Sequence, residues 1–359
     1  MILPEVVLTL GQVPGLGPRK VRNLLLAHPG LTRWADLQAA DLRSIAGFSN
    51  ILVERVRQAN PDEALRILER CAANRIRYIT IADPDYPDLL RELYDAPVGL
   101  FARGDGPLGA DCLAVVGTRR ASDYGRRQTR LLSAALVAAG LGTVSGMARG
   151  IDTASHQATL DAGGQTIAVL GCGVDVVYPS ENRRLYDQLL ERGLLLSEYL
   201  PGTPPDGHHF PQRNRIISGL ALGTLVVEAG LGSGALITAL RSLDQNREVF
   251  AVPGRADDKR SAGCHGLIQD GAKLVQRVED ILSELQQPYS AGPGEQLDMI
   301  RDLPEPERRL LEYLGPEPVL VDTIAEEMEW NISELLSLLV TMELRGLVMQ
   351  SAGKRYARA

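Results

Sequence analysis

Residues 112–152 read CLAVVGTRRASDYGRRQTRLLSAALVAAGLGTVSGMARGID. The segment opens with the short apolar run CLAVV and repeats the pattern with GTVS at 142–145. A glycine-containing turn follows each run, and a helical pattern follows each turn, the first from about Tyr124 and the second from about Ile151. Short apolar strands that alternate with helices are typical of a parallel sheet with helices on both faces. The segment therefore predicts an α/β core.

The same alternation extends in both directions from this segment. Downstream, the strand patterns are QTIAVLG, LLLSE, GTLVVEA and REVFAVPG, and the helical patterns between them begin near Asn182, Arg213 and Ala235. Upstream, RIRYITIADPDYPDLLRELYDAPVGLFARGD predicts a strand, a turn, a helix and a strand. The core is therefore expected to span residues 75–285. Ligands of such sheets bind at the carboxyl ends of the strands, beside a switch point in strand order.

Glycine and arginine follow several of the predicted strands. Glycine lets a backbone approach a phosphate closely, and the helix after each loop directs its positive end to the same place. Each loop on its own is equally typical of a simple turn between strand and helix. The candidate ligand-binding residues are Gly117, Thr118, Arg119, Ser145, Gly146, Arg149, Gly150, Phe210, Arg213, Asn214, Arg215 and Ser233. The four arginines of this set are expected to ring one crevice that binds a polyanion, and Phe210 is expected to stack on an unpaired base.

The first region, residues 1–74, contains two apolar helical patterns joined by Pro14-Gly15-Leu16-Gly17-Pro18. The glycines permit a tight turn, and Pro18 suits the first turn of the next helix. The pattern resembles a helix-hairpin-helix or SAM-like domain with a degenerate second copy around Ala46-Gly47-Phe48. Its turn could hold a DNA phosphate, to which Arg19, Lys20 and Arg22 could add charge. The alternative is a small helical domain for packing or protein contact.

A stretch rich in Pro, Gly and Ser, residues 286–295, predicts a linker to a third region, residues 296–359. Three helical patterns and a short hairpin there resemble a winged helix. From Glu295 to Met349 there are 13 acidic and 4 basic residues, and the predicted recognition helix has no cation. Since major-groove readers need Arg, Lys, Asn or Gln on that helix, we expect a protein-contact role. The basic residues of the wing are Lys354, Arg355 and Arg358.

The composition limits the class of protein. The 359 residues carry a formal net charge of −7, which excludes a uniformly basic nucleic-acid binder. Between Asp111 and Arg260, however, 15 arginines and one lysine balance 15 acidic residues, so an anion site depends on local clustering. The four cysteines are widely spaced, which disfavours a zinc site or a disulfide framework. No signal peptide or membrane span is apparent, so we expect a soluble cytoplasmic protein.

Six motifs occur in one order: GTR, SGMARGID, VLGCGVDVVYP, FPQRNRIISG, VVEA with SGALITA, and FAVPG. In this combination the chain resembles the DNA-processing protein A family, also called Smf, over essentially its whole length. The resemblance implies an extended Rossmann-like core that dimerises and binds single-stranded DNA without sequence preference. It also implies loading of the RecA recombinase in natural transformation or recombination. We therefore expect a non-catalytic mediator without cofactor or metal, with single-strand-binding protein as a further partner.

The resemblance assigns residues as well. Arg119 looks like the family's main DNA-contacting arginine, while Ser145 to Gly150 and Phe210 to Asn214 match its second and third loops. Ser180 stands where family members often carry a lysine, which weakens one expected phosphate contact, although Arg183 or Arg184 could compensate. His265 replaces the family's usual asparagine.

Three other functions are weighed against this one. The fold resembles nucleotide phosphoribohydrolases, but their PGGxGTxxE motif is absent, and Glu228 is a single carboxylate without an evident partner. A dinucleotide-dependent oxidoreductase needs a G-x-G-x-x-G turn that is missing after the first strand of the core. A third alternative, a pure interaction scaffold without a ligand in the crevice, remains open.

Two residue patterns have a local explanation. The adjacent His208 and His209 lack a third metal ligand nearby in sequence. Asp152 is expected to cap a helix or to orient Arg149.

Overall fold

The computed structural model of this chain describes residues 3–28, 31, 34, 37–45, 47–285, 304–315, 319–328, 330–344, 347–351 and 354–358. The chain forms two compact units, Met1–Ser290 and Ala291–Ala359. The predicted linker 286–295 lies outside the described residues, and so does Ala46 of the second predicted hairpin. The boundaries of the four predicted segments, 1–74, 75–285, 286–295 and 296–359, stay predictions.

One mixed sheet organises the first unit. Its strands lie in the order β1-β2-β6-β5-β4-β3-β7-β8-β9. Neighbouring strands from β6 to β9 are parallel, whereas β2 pairs antiparallel with both β1 and β6. The strands are β1 (Arg77–Thr80), β2 (Gly99–Arg103), β3 (Cys112–Val116), β4 (Gly142–Ser145), β5 (Thr166–Val169), β6 (Leu194–Ser197), β7 (Gly223–Val226), β8 (Glu248–Ala251) and β9 (Lys273–Leu274). The predicted Rossmann-like, parallel-rich core is confirmed.

Helices follow the strands as the patterns predicted. The two that follow the quoted segment's strands begin at Asp123 and Ile151, next to their expected positions. The helices of the first unit are α1 (Pro4–Gln12), α2 (Pro18–Ala27), α3 (Ala39–Ser44), α4 (Asn50–Gln58), α5 (Pro61–Ala73), α6 (Asp88–Arg91), α7 (Asp123–Ala138), α8 (Ile151–Asp161), α9 (Arg183–Arg192), α10 (His209–Gly219), α11 (Gly234–Asp244), α12 (Ala262–Gln269) and α13 (Val278–Leu285).

The central strands are buried on both faces, which explains their continuous apolar sequence. Side chains of β3 alternate between two core clusters. Leu113 shares one cluster with Leu132 of α7, and Ala114 shares the other with Ile216 of α10. The sheet therefore has a helical layer on each face, and both layers depend on the same strand.

A switch point in strand order lies between β3 and β7. From β3 the chain adds β4, β5 and β6 on one side, then returns to place β7, β8 and β9 on the other. The connection after β3 therefore runs to one side of the switch point and the connection after β7 runs to the other, so their loops separate at the carboxyl ends of the strands. This separation opens a crevice above Val116 and Val226, which are paired residues of the two strands.

The N-terminal helices pack against the antiparallel end of this sheet. Val7 and Leu10 of α1 belong to the same core cluster as Leu100 of β2. Both predicted hairpin turns contain a glycine in the left-handed region, Gly15 at φ 87° and Gly47 at φ 88°. Glycine adopts this conformation without the steric cost that other residues pay.

Two of the hairpin cations contact the segment between α6 and β2. Arg22 donates a hydrogen bond from Nη1 to the carbonyl oxygen of Leu93 at 3.0 Å. The Arg19 guanidinium lies over the ring of Tyr94, with Cζ 4.6 Å from the ring centroid. In this structure these side chains attach the helices to the core, which is the packing alternative considered for this region.

The second unit has the element order predicted for a winged helix. It contains α14 (Glu305–Tyr313), β10 (Val319–Leu320), α15 (Val321–Met328), α16 (Ile332–Leu344), β11 (Val348–Ser351) and β12 (Arg355–Arg358). The strands form a sheet in the order β10-β12-β11. Glu334 and Glu343 are exposed on α16, and Lys354 and Arg355 are exposed in the wing.

Candidate functional site

A crevice of about 1100 Å³ lies at the switch point. Its walls come from the turn after β3, the start of α10, the loop after β7 and the loop after β8. Seven of the predicted residues line it: Gly117, Thr118, Arg119, Phe210, Arg213, Asn214 and Ser233. A smaller cavity of about 90 Å³ lies beside it and is lined by Gly146 and Arg149 together with Arg119, Phe210 and Arg213.

The turn after β3 is fixed by contacts with two other loops. The N–H of Thr118 donates to the carbonyl oxygen of Glu228 at 2.7 Å, and the N–H of Ile151 donates to the carbonyl oxygen of Thr118 at 3.3 Å. Gly150 has φ +81°, and a Cβ at this position would lie 2.3 Å from the Thr118 oxygen. Glycine is therefore required for packing at Gly150, which lines neither cavity. These contacts fix the backbone that carries Arg119.

Arg119, Phe210 and Tyr178 form one aromatic and cationic cluster. The guanidinium of Arg119 lies over the Phe210 ring, with Cζ 5.6 Å from the centroid. Tyr178 stacks on Phe210 with 5.5 Å between ring centroids and an interplanar angle of 24°. Phe210 also packs against Gly171, where a Cβ would lie 2.8 Å from the ring. Phe210 is thus half-buried among these contacts, whereas Arg119 is exposed.

Asp152 occupies the backbone amides of the loop after β4. Its Oδ2 accepts hydrogen bonds from the N–H groups of Gly146 at 3.1 Å and Ala148 at 3.3 Å. The carboxyl is buried, and burial raises the pKa of Asp152. Arg149 instead pairs with Glu181, so Asp152 does not orient Arg149 through an ion pair. The two amides that were expected to face a phosphate are therefore satisfied within the protein.

Arg213 is a buried cation between the two cavities. It is 5% exposed, and its Nη1 lies so close to Gly146 that a Cβ there would be 1.6 Å away. Its Nε and Nη1 atoms have no hydrogen-bond partner among the described residues. Burial lowers the pKa of Arg213 to about 10, and the nearby carboxylate of Asp152 opposes that shift. A residue without a side chain is therefore required at position 146 to leave room for this guanidinium.

Arg215 and Ser145 do not reach the crevice, which corrects the prediction that four arginines ring it. Two residues along a helix differ by about 200° in direction, so Arg213 and Arg215 point to different sides of α10. Arg215 is buried and pairs with Glu198 at 2.8 Å and with Asp95 at 3.4 Å. The buried Ser145 donates from Oγ to the carbonyl oxygen of Val115 at 2.7 Å. Both side chains serve packing.

The remaining predicted residues lie near the start of α11. Ser233 is its N-cap, and its Oγ accepts a hydrogen bond from the N–H of Ala235 at 3.3 Å. The half-buried Asn214 donates from Nδ2 to the carbonyl oxygen of Gly234 at 3.4 Å. Each therefore combines a local structural contact with a place in the crevice wall.

Three cations and one aromatic side chain of the crevice were not among the predicted site residues: Arg120, Lys259, Arg260 and Tyr178. Arg120 directly follows the predicted Arg119. Lys259 and Arg260 lie in the loop after β8, at the same edge of the sheet as the other loops. Their position after the strand pattern REVFAVPG was the available signal, since the carboxyl ends of parallel strands meet at one edge.

The His265 substitution and the Glu228 carboxylate both stabilise this part of the fold. His265 Nε2 lies 3.1 Å from the carbonyl oxygen of Gly254, at the start of the loop after β8. Glu228 is 3% exposed, accepts a hydrogen bond from the N–H of Ser122 at 2.9 Å and pairs with Arg260 at 3.3 Å. Its carboxylate therefore anchors the start of α7 and does not line the crevice, which removes the residue on which phosphoribohydrolase chemistry would depend.

Two further histidines, His209 and His156, have ordinary packing roles. His209 stacks on Tyr199 with ring centroids 4.0 Å apart. The buried His156 of α8 lies with Nδ1 2.7 Å from Oγ1 of Thr166. Among the described residues, no cluster of three or more His, Cys, Asp or Glu side chains forms a potential metal site.

Comparison with known proteins agrees with the fold and the order of the loops. Residues 77–286 match the family described as DNA recombination-mediator protein A, and residues 298–354 match the DprA winged helix domain. This chain belongs to the DNA recombination-mediator protein A family. The resemblance noted from the six motifs is thereby confirmed, and so is the winged helix at the C-terminal end. Among the described residues, no helix has the length and apolarity that crossing a bilayer requires.

Relatives in this family cover most of the chain. Protein Smf of Synechocystis is 34% identical across 98% of this chain and 98% of its own length. The crystal structure of DNA processing protein A from Streptococcus pneumoniae is 40% identical, with a TM-score of 0.70 over 79% of this chain and 99% of that one. DNA processing protein A from Helicobacter pylori, whose structure is described as explaining its single-stranded DNA binding mode, is 28% identical with a TM-score of 0.54, over 60% of this chain and 98% of that one.

Proposed function

We propose that this protein binds single-stranded DNA in the crevice at the switch point and delivers the strand to the RecA recombinase. The observation that carries the proposal is Arg119. It is exposed at the crevice wall, it packs over Phe210, and it has no carboxylate partner among the described residues. A free guanidinium beside an aromatic ring is suited to contact a phosphate and the base attached to it.

The charge of the crevice supports a polyanionic ligand. Among the residues that line it, the cations are Arg119, Arg120, Arg213, Lys259 and Arg260, and the acidic residue is Asp152. The Asp152 carboxylate is buried and accepts two backbone N–H groups, so it presents little negative potential to the opening. A concave surface with an excess of one sign focuses the field, even on a chain whose formal net charge is −7.

The aromatic content of the crevice favours a single strand over a duplex. Proteins that bind unpaired strands without sequence preference combine a positive groove with aromatic side chains on which bases stack. Here Tyr178 and Phe210 lie beside the cations. The Helicobacter pylori relative, described by its single-stranded DNA binding mode, supports the same assignment.

Delivery to RecA and dimerisation rest on different features. The family's description as a recombination mediator supports transfer of the strand to a recombinase. In this proposal the transfer takes place during natural transformation or recombination, from DNA coated by single-strand-binding protein. A homodimer would cover the apolar side chains exposed on α11, where Ile237, Leu240 and Leu243 are 38%, 58% and 55% exposed. Light scattering of the parent and of Leu240→Glu tests this part, since a monomeric parent would contradict it.

The central experiment is fluorescence anisotropy with labelled oligo-dT and a matched duplex at several salt concentrations. We expect tighter binding to the single strand. Arg119→Ala should weaken binding about tenfold and reduce the slope of log affinity against log salt by about 0.7, the value for one phosphate contact. Arg277→Ala is the matched control, because Arg277 is exposed and lies outside the crevice.

The outcomes separate the parts of the proposal. If the parent binds neither DNA, the function is wrong, and base release from nucleotide monophosphates becomes the assay to run. If the parent binds and Arg119→Ala binds equally well, the crevice is the wrong site. RecA-driven strand exchange on DNA coated with single-strand-binding protein tests delivery, and we expect the parent, but not Arg119→Ala, to shorten the lag.

A further inference from the structure

Tyr178 is the outermost ring of the aromatic cluster. One face of its ring stacks on Phe210, yet the side chain is still 41% exposed. With one face against Phe210, the parts of the ring that remain open are the opposite face and the edge. Tyr178 also lines both the crevice and the smaller cavity. Phe210 lines both cavities as well, but it is half-buried and in contact with Tyr178, Arg119 and Gly171, so it is the less exposed of the two rings.

We propose that an unpaired nucleobase stacks on the outer face of Tyr178, and that Tyr178, not Phe210, is the aromatic residue that receives it. This inference rests on the proposed binding of single-stranded DNA. The base would extend the existing stack, with Phe210 as the ring behind Tyr178 and Arg119 packed over Phe210. Stacking requires only a π face, which every base has, so it agrees with binding that is independent of sequence.

The backbone that carries Tyr178 is held in place by buried polar contacts. Asn182, four residues further on, is 8% exposed and donates from Nδ2 to the carbonyl oxygen of Met147 and to Oγ1 of Thr153, each at 2.9 Å. The ion pair between Arg149 and Glu181 attaches the same turn to the loop after β4. A ring that is already fixed loses little conformational freedom when a ligand stacks on it, so more of the stacking energy appears as affinity.

The same geometry predicts discrimination between single and double strands. In a duplex both faces of an internal base are covered by its neighbours, so none is free to stack on Tyr178. An unpaired strand can turn one base out of its own stack at low cost. Removal of the Tyr178 ring should therefore weaken binding to the single strand more than binding to the duplex.

The test uses the full chain and oligo-dT, with and without abasic sites. We expect Tyr178→Ala to bind oligo-dT about tenfold more weakly than the parent, with an unchanged salt slope, because no phosphate contact is lost. Tyr178→Phe should restore the affinity, since the ring is retained. Abasic substitution should weaken the parent but have a much smaller effect on Tyr178→Ala. Tyr94→Ala is the matched control, because Tyr94 is 69% exposed outside the crevice.

A spectroscopic measurement reports on the stack directly. In Tyr178→Trp, the introduced indole should be quenched when oligo-dT binds, and an abasic oligonucleotide should quench it less. The inference is overturned if the parent binds oligo-dT through Arg119 while Tyr178→Ala binds as the parent does. It is also overturned if abasic sites weaken the parent and Tyr178→Ala equally. A parent that fails to bind oligo-dT contradicts the proposed function itself.

Discussion

Arg215 provides the sharpest contrast with Arg119, because both were predicted to contact DNA. The Arg215 side chain is 9% exposed, and its Nη2 donates to both carboxylate oxygens of Glu198 at 2.8 Å. Its Nε lies 3.4 Å from Asp95. We predict that Arg215→Ala mainly lowers stability, whereas Arg119→Ala mainly lowers DNA affinity.

The expected loss of stability follows from the exposure of the partners. Removal of one member of a fully buried ion pair costs about 3–5 kcal/mol, because the other charge is left without a partner. The Glu198 and Asp95 side chains are 24% and 48% exposed, so water compensates part of that loss. We expect the free energy of unfolding to fall by about 2–3 kcal/mol. For a unit of this size the melting temperature should then fall by roughly 5–10 °C.

The melting temperatures of the parent, Arg215→Ala and Arg119→Ala are measured by differential scanning calorimetry. Their affinities for oligo-dT are measured by fluorescence anisotropy at a temperature where all three proteins are folded. Arg119→Ala should melt with the parent. The reasoning is refuted if Arg215→Ala melts within about 1 °C of the parent and loses oligo-dT binding as Arg119→Ala does. That result would place Arg215 on the DNA, as the sequence pattern predicts.

Three further predictions concern the loops and the core. Gly150→Ala should lower the melting temperature more than Gly163→Ala. Both glycines have positive φ, but only at Gly150 would the added methyl group meet a carbonyl oxygen, at 2.3 Å. Equal losses in a thermal melt would contradict this and show that the turn adapts. Asp152→Ala should reduce the free energy of unfolding by about 3 kcal/mol, because two amides lose their acceptor and the buried Arg213 loses a nearby opposite charge. Urea denaturation should find a smaller loss for Asp152→Asn, which keeps one carbonyl oxygen. Burial lowers the pKa of His156 to about 3, so between pH 6.5 and pH 3 the unfolded chain binds a proton at this residue that the folded protein does not bind. The free energy of unfolding should therefore fall by about 1.4 kcal/mol per pH unit as the pH drops from 6.5 towards 3. An unchanged slope in His156→Gln would contradict this.

The sequence by itself determined the architecture of the core. Five-residue apolar runs such as Cys112–Val116 and the helical pattern after Ser122 are local signals, because burial on both faces and the helical repeat leave their periods in the chain. The loops that follow the strands could be placed at one edge of the sheet for the same reason. Arg119 was identified in this way, since its position depends only on the strand that precedes it.

Only the tertiary structure decided which side chains face the crevice. Arg213 and Arg215 lie on one helix with similar sequence surroundings, and the packing of α10 directs the first towards Gly146 and the second towards Glu198. Tyr178 and Phe210 are 32 positions apart, yet they stack because β5 and the start of α10 bring them together. Asp152 fills the amides that a phosphate was expected to use. Such choices depend on contacts between residues distant in sequence, which leave no period in the chain.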